Sequence, residues 1–282
     1  MRVRSAHPYL FTVFIVVFAG CSFKTVYNRL DTLIPSYVED LVTLDDVLQQ
    51  EVELRSQALV SWHRKTQLIQ YADWLRELQR DVNPQLDANR LQQHVETLKG
   101  FWQSLSARIR EEMAELLPLL DTEQRRELFD SIADNNEDFE EDYVDIDKVE
   151  RIENYREDLL DNYGNWLGEL TSAQTDLIET SAAELRSSAR ERLERRRRWQ
   201  EGIREILDSG ETRSQKTLEL RRFFANFDAH EDVEMKTIER SNSDLMDRLT
   251  VQLAQLMTHN QGDHFVERTD EYIRIFTELA RE

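Results

Sequence analysis

Downstream of residue 43 the apolar residues of this chain recur at i, i+3 and i+4 almost without interruption, and no stretch of comparable length alternates with period 2. That spacing lays an apolar stripe along one side of an α-helix, whereas a half-buried strand needs strict alternation. Leu44, Val47, Leu48, Val52, Arg55, Leu59 and Trp62 follow one face, with Leu54 and Ala58 widening it. Leu68, Tyr71, Leu75 and Leu78 form a second stripe that stops before Asn83-Pro84. A third runs through Leu91, Val95, Leu98, Trp102, Leu105, Ile109, Met113, Leu116 and Leu117 up to Pro118. Charged residues fill the opposite faces, so each helix must bury its stripe on neighbours. Only 7 Gly and 4 Pro occur in 282 residues, about 4% where average chains hold roughly 12%. Hairpin turns and glycine-rich phosphate loops depend on those two residues, which argues against a Rossmann domain, a P-loop or a β-sandwich. The expected fold is all-α, an elongated antiparallel helical bundle that follows a cleaved signal peptide.

Helix starts are legible within that pattern. Asp121 with Gln124, Thr171 with Gln174 and Thr258 with Gln261 each pair a capping residue with Gln three positions later. Such a pair satisfies two orphan backbone donors reciprocally, the capping box. The boxes stand 50 and 87 residues apart, unequal spacings that do not make a solenoid array. Gly164, Gly168 and Gly210 lie near expected helix ends and read as C-terminal caps. The five tryptophans (62, 74, 102, 166 and 199) fall within apolar stripes and read as core residues.

The first residues carry an address. Arg2 and Arg4 precede the apolar run from Tyr9 to Ala19, whose 11 residues span about 16 Å as a helix. A bilayer core is about 30 Å thick, so the run reads as the apolar region of a signal peptide and not as a membrane span. It ends Phe18-Ala19-Gly20-Cys21, which resembles a bacterial lipobox with Phe18 where Leu is usual. The resemblance implies cleavage before Cys21 and a diacylglyceryl group on its thiol. Residues 1–20 are then a leader, 21–42 a lipidated cysteine with a tether or short helix, and 43–282 the helical bundle domain. The mature chain would hold 34 basic against 56 acidic side chains, a net charge of −22. An Asp after the cysteine resembles an inner-membrane retention signal, and this chain has Ser22. The implied location is the outer membrane, periplasmic face, lipid-anchored. As the chain's one cysteine, Cys21 also excludes an internal disulfide and any multi-cysteine zinc site.

Two family resemblances follow. The segment Cys21-Ser22, then Tyr27-Asn28-x-Leu30-Asp31-x-Leu33-x-Pro35-x-Tyr37-x-x-Asp40, resembles the mature start of a family of uncharacterised bacterial lipoproteins. Trp62-His63-Arg64, the stretch from Asn136 through Phe139 to Tyr143, and Arg196 to Gln200 also look like it, so the likeness covers nearly the whole mature chain. It implies a lipoprotein of unknown function. The Leu-Thr-x-x-Gln elements look like those of small periplasmic chaperones of the Spy type, all-helical cradles that are shorter and basic.

No catalytic constellation emerges from the chain, and no cofactor, metal site or small-molecule substrate is inferred. A serine nucleophile lacks its glycine-rich elbow, and carboxylates are too numerous to single out a pair. His259 and His264 stand five apart, where i and i+4 would share a helix face, and His63, His94 and His230 are isolated. The acidic run from Asp134 to Asp147 fails the EF-hand pattern, with Phe139 and Asp145 where Gly and Glu are required. It reads as a solvated face, with Phe139, Tyr143 and Ile146 on its buried side. The basic block places Arg192, Arg195 and Arg196 on one helix face with Arg197 and Arg198 splayed around it. The bland reading is ion pairing with the acidic 134–161 stretch; the functional one is contact with an anionic surface such as lipid phosphates. Nucleic acid is not expected as a partner, because the net negative field repels phosphates. The expectation is a non-enzymatic protein-interaction or scaffold protein of the cell envelope, attached to the membrane through Cys21 and binding an envelope protein. The alternatives are a chaperone-like helical cradle and an envelope hydrolase.

Overall fold

A computed structural model of the chain describes residues 20–227 and 233–282, with the side chains of residues 20–22 left aside. The leader, His7, His230 and the Cys21 thiol therefore lie outside the described structure. What is described is an all-α bundle. Its helices are α1 (Gly20–Tyr27), α2 (Leu30–Glu39), α3 (Asp46–Thr66), α4 (Leu68–Asp81), α5 (Ala88–Leu116) and α6 (Thr122–Phe139). There follow α7 (Lys148–Leu167), α8 (Ser172–Glu184), α9 (Ala189–Asp208), α10 (Arg213–Asn226), α11 (Val233–Gln255) and α12 (His259–Leu279). A 3₁₀ turn, Leu117–Leu119, ends α5 around Pro118, and a π turn, Glu140–Val144, ends α6.

The core is divided along the bundle. At one end Leu68, Ala72, Trp74 and Leu75 of α4 meet Tyr272, Ile275, Phe276 and Leu279 of α12, with Tyr27 of α1 closing the cluster. Tyr155 and Leu159 of α7, Ile178 and Ala182 of α8, and Leu249 and Leu253 of α11 form another. A third joins Ala114, Phe129, Ile203, Leu207, Leu220 and Phe224 from α5, α6, α9 and α10. In this last cluster α9 approaches α10 closely at Gly202, where a Cβ would stand 2.5 Å from the Phe223 ring.

The segment expected as a tether or short helix is helical and packed. Phe23 lies edge-on to Tyr272 and Phe276, with ring centroids 6.2 and 5.8 Å apart, and Lys24 reaches Glu278 and Glu282 at 3.0 and 2.9 Å. Thr43, just beyond α2, gives its N–H and hydroxyl to Glu127 at 2.9 and 2.7 Å, and its carbonyl accepts from Gln124.

All three anticipated capping boxes form, at Asp121–Gln124, Thr171–Gln174 and Thr258–Gln261, and a fourth stands at Thr212–Gln215. Several other expectations need correction. The buried stripe of α3 is Leu48, Val52, Ser56 and Val60, while Val47 and Leu54 are 78% and 55% exposed. The face is rotated because Leu48 and Val52 pack with Val38 of α2, Leu116 of α5 and Leu128 of α6, and Val60 packs in the α4–α12 cluster. Trp102 is exposed, not core, although Trp74 is buried. Of the three glycines, Gly168 caps α7 with φ +76°, against the ring of His264, and only Gly fits that conformation without strain. Gly164 lies inside α7, and Gly210 follows α9 without positive φ.

Candidate basic–aromatic cavity

Residues 192, 195, 196 and 199 are spaced i, i+3, i+4 and i+7, so α9 presents Arg192, Arg195, Arg196 and Trp199 on one side. Behind that row Leu193, Ile203 and Leu207 are buried and fix the helix in the core. Asn136 of α6 donates to Gln200 at 2.7 Å, which sets the register of α6 against α9. The four residues then line a cavity of about 330 Å³, which Arg110 of α5, Phe139 of α6 and Phe227 beyond α10 complete.

The guanidinium groups lie on aromatic faces. Arg196 stands 4.6 Å and Arg192 5.8 Å from the centre of the Phe139 ring, and Arg195 stands 5.4 Å from that of Phe227. Cation–π contact of this kind holds a cation in place, and Arg192 and Arg195 have further interactions besides. Trp199 is stacked on Phe224 at 5.7 Å, which anchors the indole in the core cluster. On α11 Glu239 faces the same helix. Burial pushes its carboxyl up, and Arg192 and Arg195 draw it back. Desolvation lowers the proton affinity of Arg196, with Tyr37 of α2 near enough to oppose it.

The structure thus gathers three of the five singled-out arginines and separates the other two. Arg197 pairs with Glu140 in the π turn at 2.6 Å, and Arg198 is exposed outside the cavity. The ion pairing expected with the acidic stretch is realised at Arg197, while Arg192 and Arg196 take the face of Phe139, an aromatic residue of that stretch. Sequence reasoning missed Arg110 and Phe227, which reach the cavity only through tertiary packing.

His63 and His94 are bonded within the fold. His63 lies between two tyrosine hydroxyls, Nδ1 2.7 Å from Tyr27 and Nε2 3.3 Å from Tyr71. His94 meets Asp81 at 3.0 Å. Burial pushes the Asp81 carboxyl up, and hydrogen bonds from Arg90 and His94 more than offset that, holding it below its ordinary value. Among the described residues no three His, Cys, Asp or Glu side chains are grouped as a metal ion would require, and no helix is long and apolar enough to cross a membrane.

Fold and cavity together define an all-α bundle protein with a basic, aromatic-lined cleft on its α5–α6–α9 side. The chain belongs to a family of unknown function, DUF6279, whose family model matches residues 40–220. That span holds α3 to α9, most of α10, and every cavity residue except Phe227. No curated protein and no solved structure matches the chain.

Proposed function

We propose that this chain is a lipid-anchored interaction or scaffold protein of the bacterial cell envelope, held through Cys21 at the periplasmic face of the outer membrane and acting by binding, not by catalysis. The observation that carries this reading is the run Ala19-Gly20-Cys21, which leads into α1, a helix fastened to the body. Phe23 and Lys24, two and three residues past the cysteine, are already engaged with α12. An anchor at Cys21 would therefore hold a rigid bundle close to the bilayer surface instead of a body on a long leash. Each buried acyl methylene contributes about 0.8 kcal/mol, and more than one chain makes attachment stable.

The test is metabolic labelling with palmitate combined with membrane fractionation. The native chain should take up label and sediment with outer-membrane density. Cys21→Ala should lose the label and shift out of that fraction; retention of Cys21→Ala in the outer membrane would overturn the assignment.

A further inference from the structure

Arg196 is anomalous for its surroundings. The chain holds 56 acidic against 36 basic side chains, and the adjacent Arg197 has found Glu140. Among the described residues Arg196 forms no ion pair, and its contact is the face of Phe139. As a residue it is solvent-exposed, although its guanidinium is desolvated enough to lower its proton affinity. A guanidinium held in this way, on a wall with two more, is arranged for an anion from outside the chain. The π turn that follows Phe139 directly adds weight, since such turns are rare and concentrate at functional sites.

We propose that the cavity binds a phosphate ester, its phosphate taken by Arg192, Arg195 and Arg196 and its organic part lying against Trp199 and Phe227. A single carboxylate is satisfied by one guanidinium fork. A phosphate monoester carries about −1.5 to −2 charge and three acceptor oxygens, and so can engage several. The aromatic lining gives the organic part an apolar surface. The volume of about 330 Å³ falls at the small end of ligand sites, enough for a phosphate with one ring or a glycerol-sized group.

The phosphate could belong to a soluble compound or to a lipid head group. Tyr37 of α2, beside Arg196, is separated from Cys21 by 16 residues of mostly helical chain, a path of about 30 Å at most. The lipid source rests on the proposed anchor; the phosphate site does not.

The experiment titrates the full-length chain, solubilised in a non-ionic maltoside detergent, with phenyl phosphate and with dihexanoyl phosphatidic acid, by calorimetry. At least one should bind with a Kd under about 1 mM. Arg196→Gln should weaken it about tenfold, as loss of a charge-assisted hydrogen bond implies. Arg196→Lys, which keeps the charge and loses the fork, should fall between, and Arg198→Gln should match the native chain. Tighter binding of phenyl phosphate assigns the site to a soluble ester; tighter binding of the phosphatidic acid assigns it to lipid. Binding of neither, or equal weakening by Arg196→Gln and Arg198→Gln, would overturn the proposal. Cys21→Ala, titrated alongside, should bind as the native chain does, so failure of the anchor and failure of the cavity are read separately.

Discussion

His63 carries the clearest pH signature in the molecule. Burial lowers its pKa from 6.5 to about 4, so the imidazole stays neutral between the hydroxyls of Tyr27 and Tyr71. The same burial pushes Tyr71 up to about 12. In the unfolded chain His63 regains its ordinary pKa and takes a proton as pH falls below 6.5, while the folded chain resists until about 4. The unfolded state then binds more protons, so stability is full above pH 6.5 and declines as pH falls through the window to 4. Between pH 7.5 and pH 5 the loss from this one group should be about 2 kcal/mol. Urea unfolding of the native chain and of His63→Gln at both pH values isolates it, because groups common to both cancel. His63→Gln should be less stable at pH 7.5 and lose less on acidification. Equal losses in the two proteins would refute the assignment. The sequence showed an isolated histidine and could go no further, since its partners are set by α1 and α4 folding against α3.

At the scale of elements the capping boxes were legible and their pairing was not. A box spans three residues, so its chemistry is written locally. Gln174 and Gln261 stand 87 positions apart, yet each side-chain amide donates to the other's carbonyl, at 3.0 and 2.8 Å, both buried. Each carbonyl also accepts from its own capping backbone, Thr171 or Thr258, at 3.0 Å. The N-termini of α8 and α12 are thereby locked together, and the recurrent Leu-Thr-x-x-Gln element has a full structural account within the bundle. Gln174→Leu should cost about 2–3 kcal/mol, because it removes both buried bonds to Gln261 and leaves the half-buried Thr171 N–H without its partner. Gln215→Leu, in the exposed box at Thr212, should cost about 1 kcal/mol or less. The double variant Gln174→Leu with Gln261→Leu should cost less than the sum of its singles; strict additivity would show that the pair does not act as a unit. The same division between local and distant information explains the cavity. Arg192, Arg195 and Arg196 were grouped by helical spacing alone, while Arg110 and Phe227 arrive from other helices. It also explains α3, where Val47 and Leu54 satisfy the periodicity but the neighbouring helices chose another face.

At the scale of the whole molecule, the span matched by the family and the span needed to fold differ. The match ends at residue 220, but the α4 face formed by Leu68, Ala72 and Leu75 is covered by Tyr272, Ile275, Phe276 and Leu279 of α12. The α7–α8 hairpin is likewise covered by Leu249 and Leu253 of α11. Burying one large apolar side chain contributes about 1.5–3 kcal/mol. These six side chains together contribute about 9–18 kcal/mol before the entropy of ordering is subtracted, a term as large as the roughly 5–15 kcal/mol net stability of a domain. Polar Gln261, at the start of α12, adds its bond to the Glu169 carbonyl. A chain stopped after Asp232 should consequently keep part of its helicity, because the local periodicity and caps of α3 to α10 persist, but should lose cooperative unfolding and bind a dye that reports exposed apolar surface. Thermal circular dichroism of the full and shortened chains decides the point. A sharp transition and full helicity in the shortened chain would make the part before α11 a self-sufficient unit and α11–α12 an appendage. The buried contacts instead tie the last two helices to α4, α7 and α8, and Asn242 of α11 holds the Arg186 backbone just before α9.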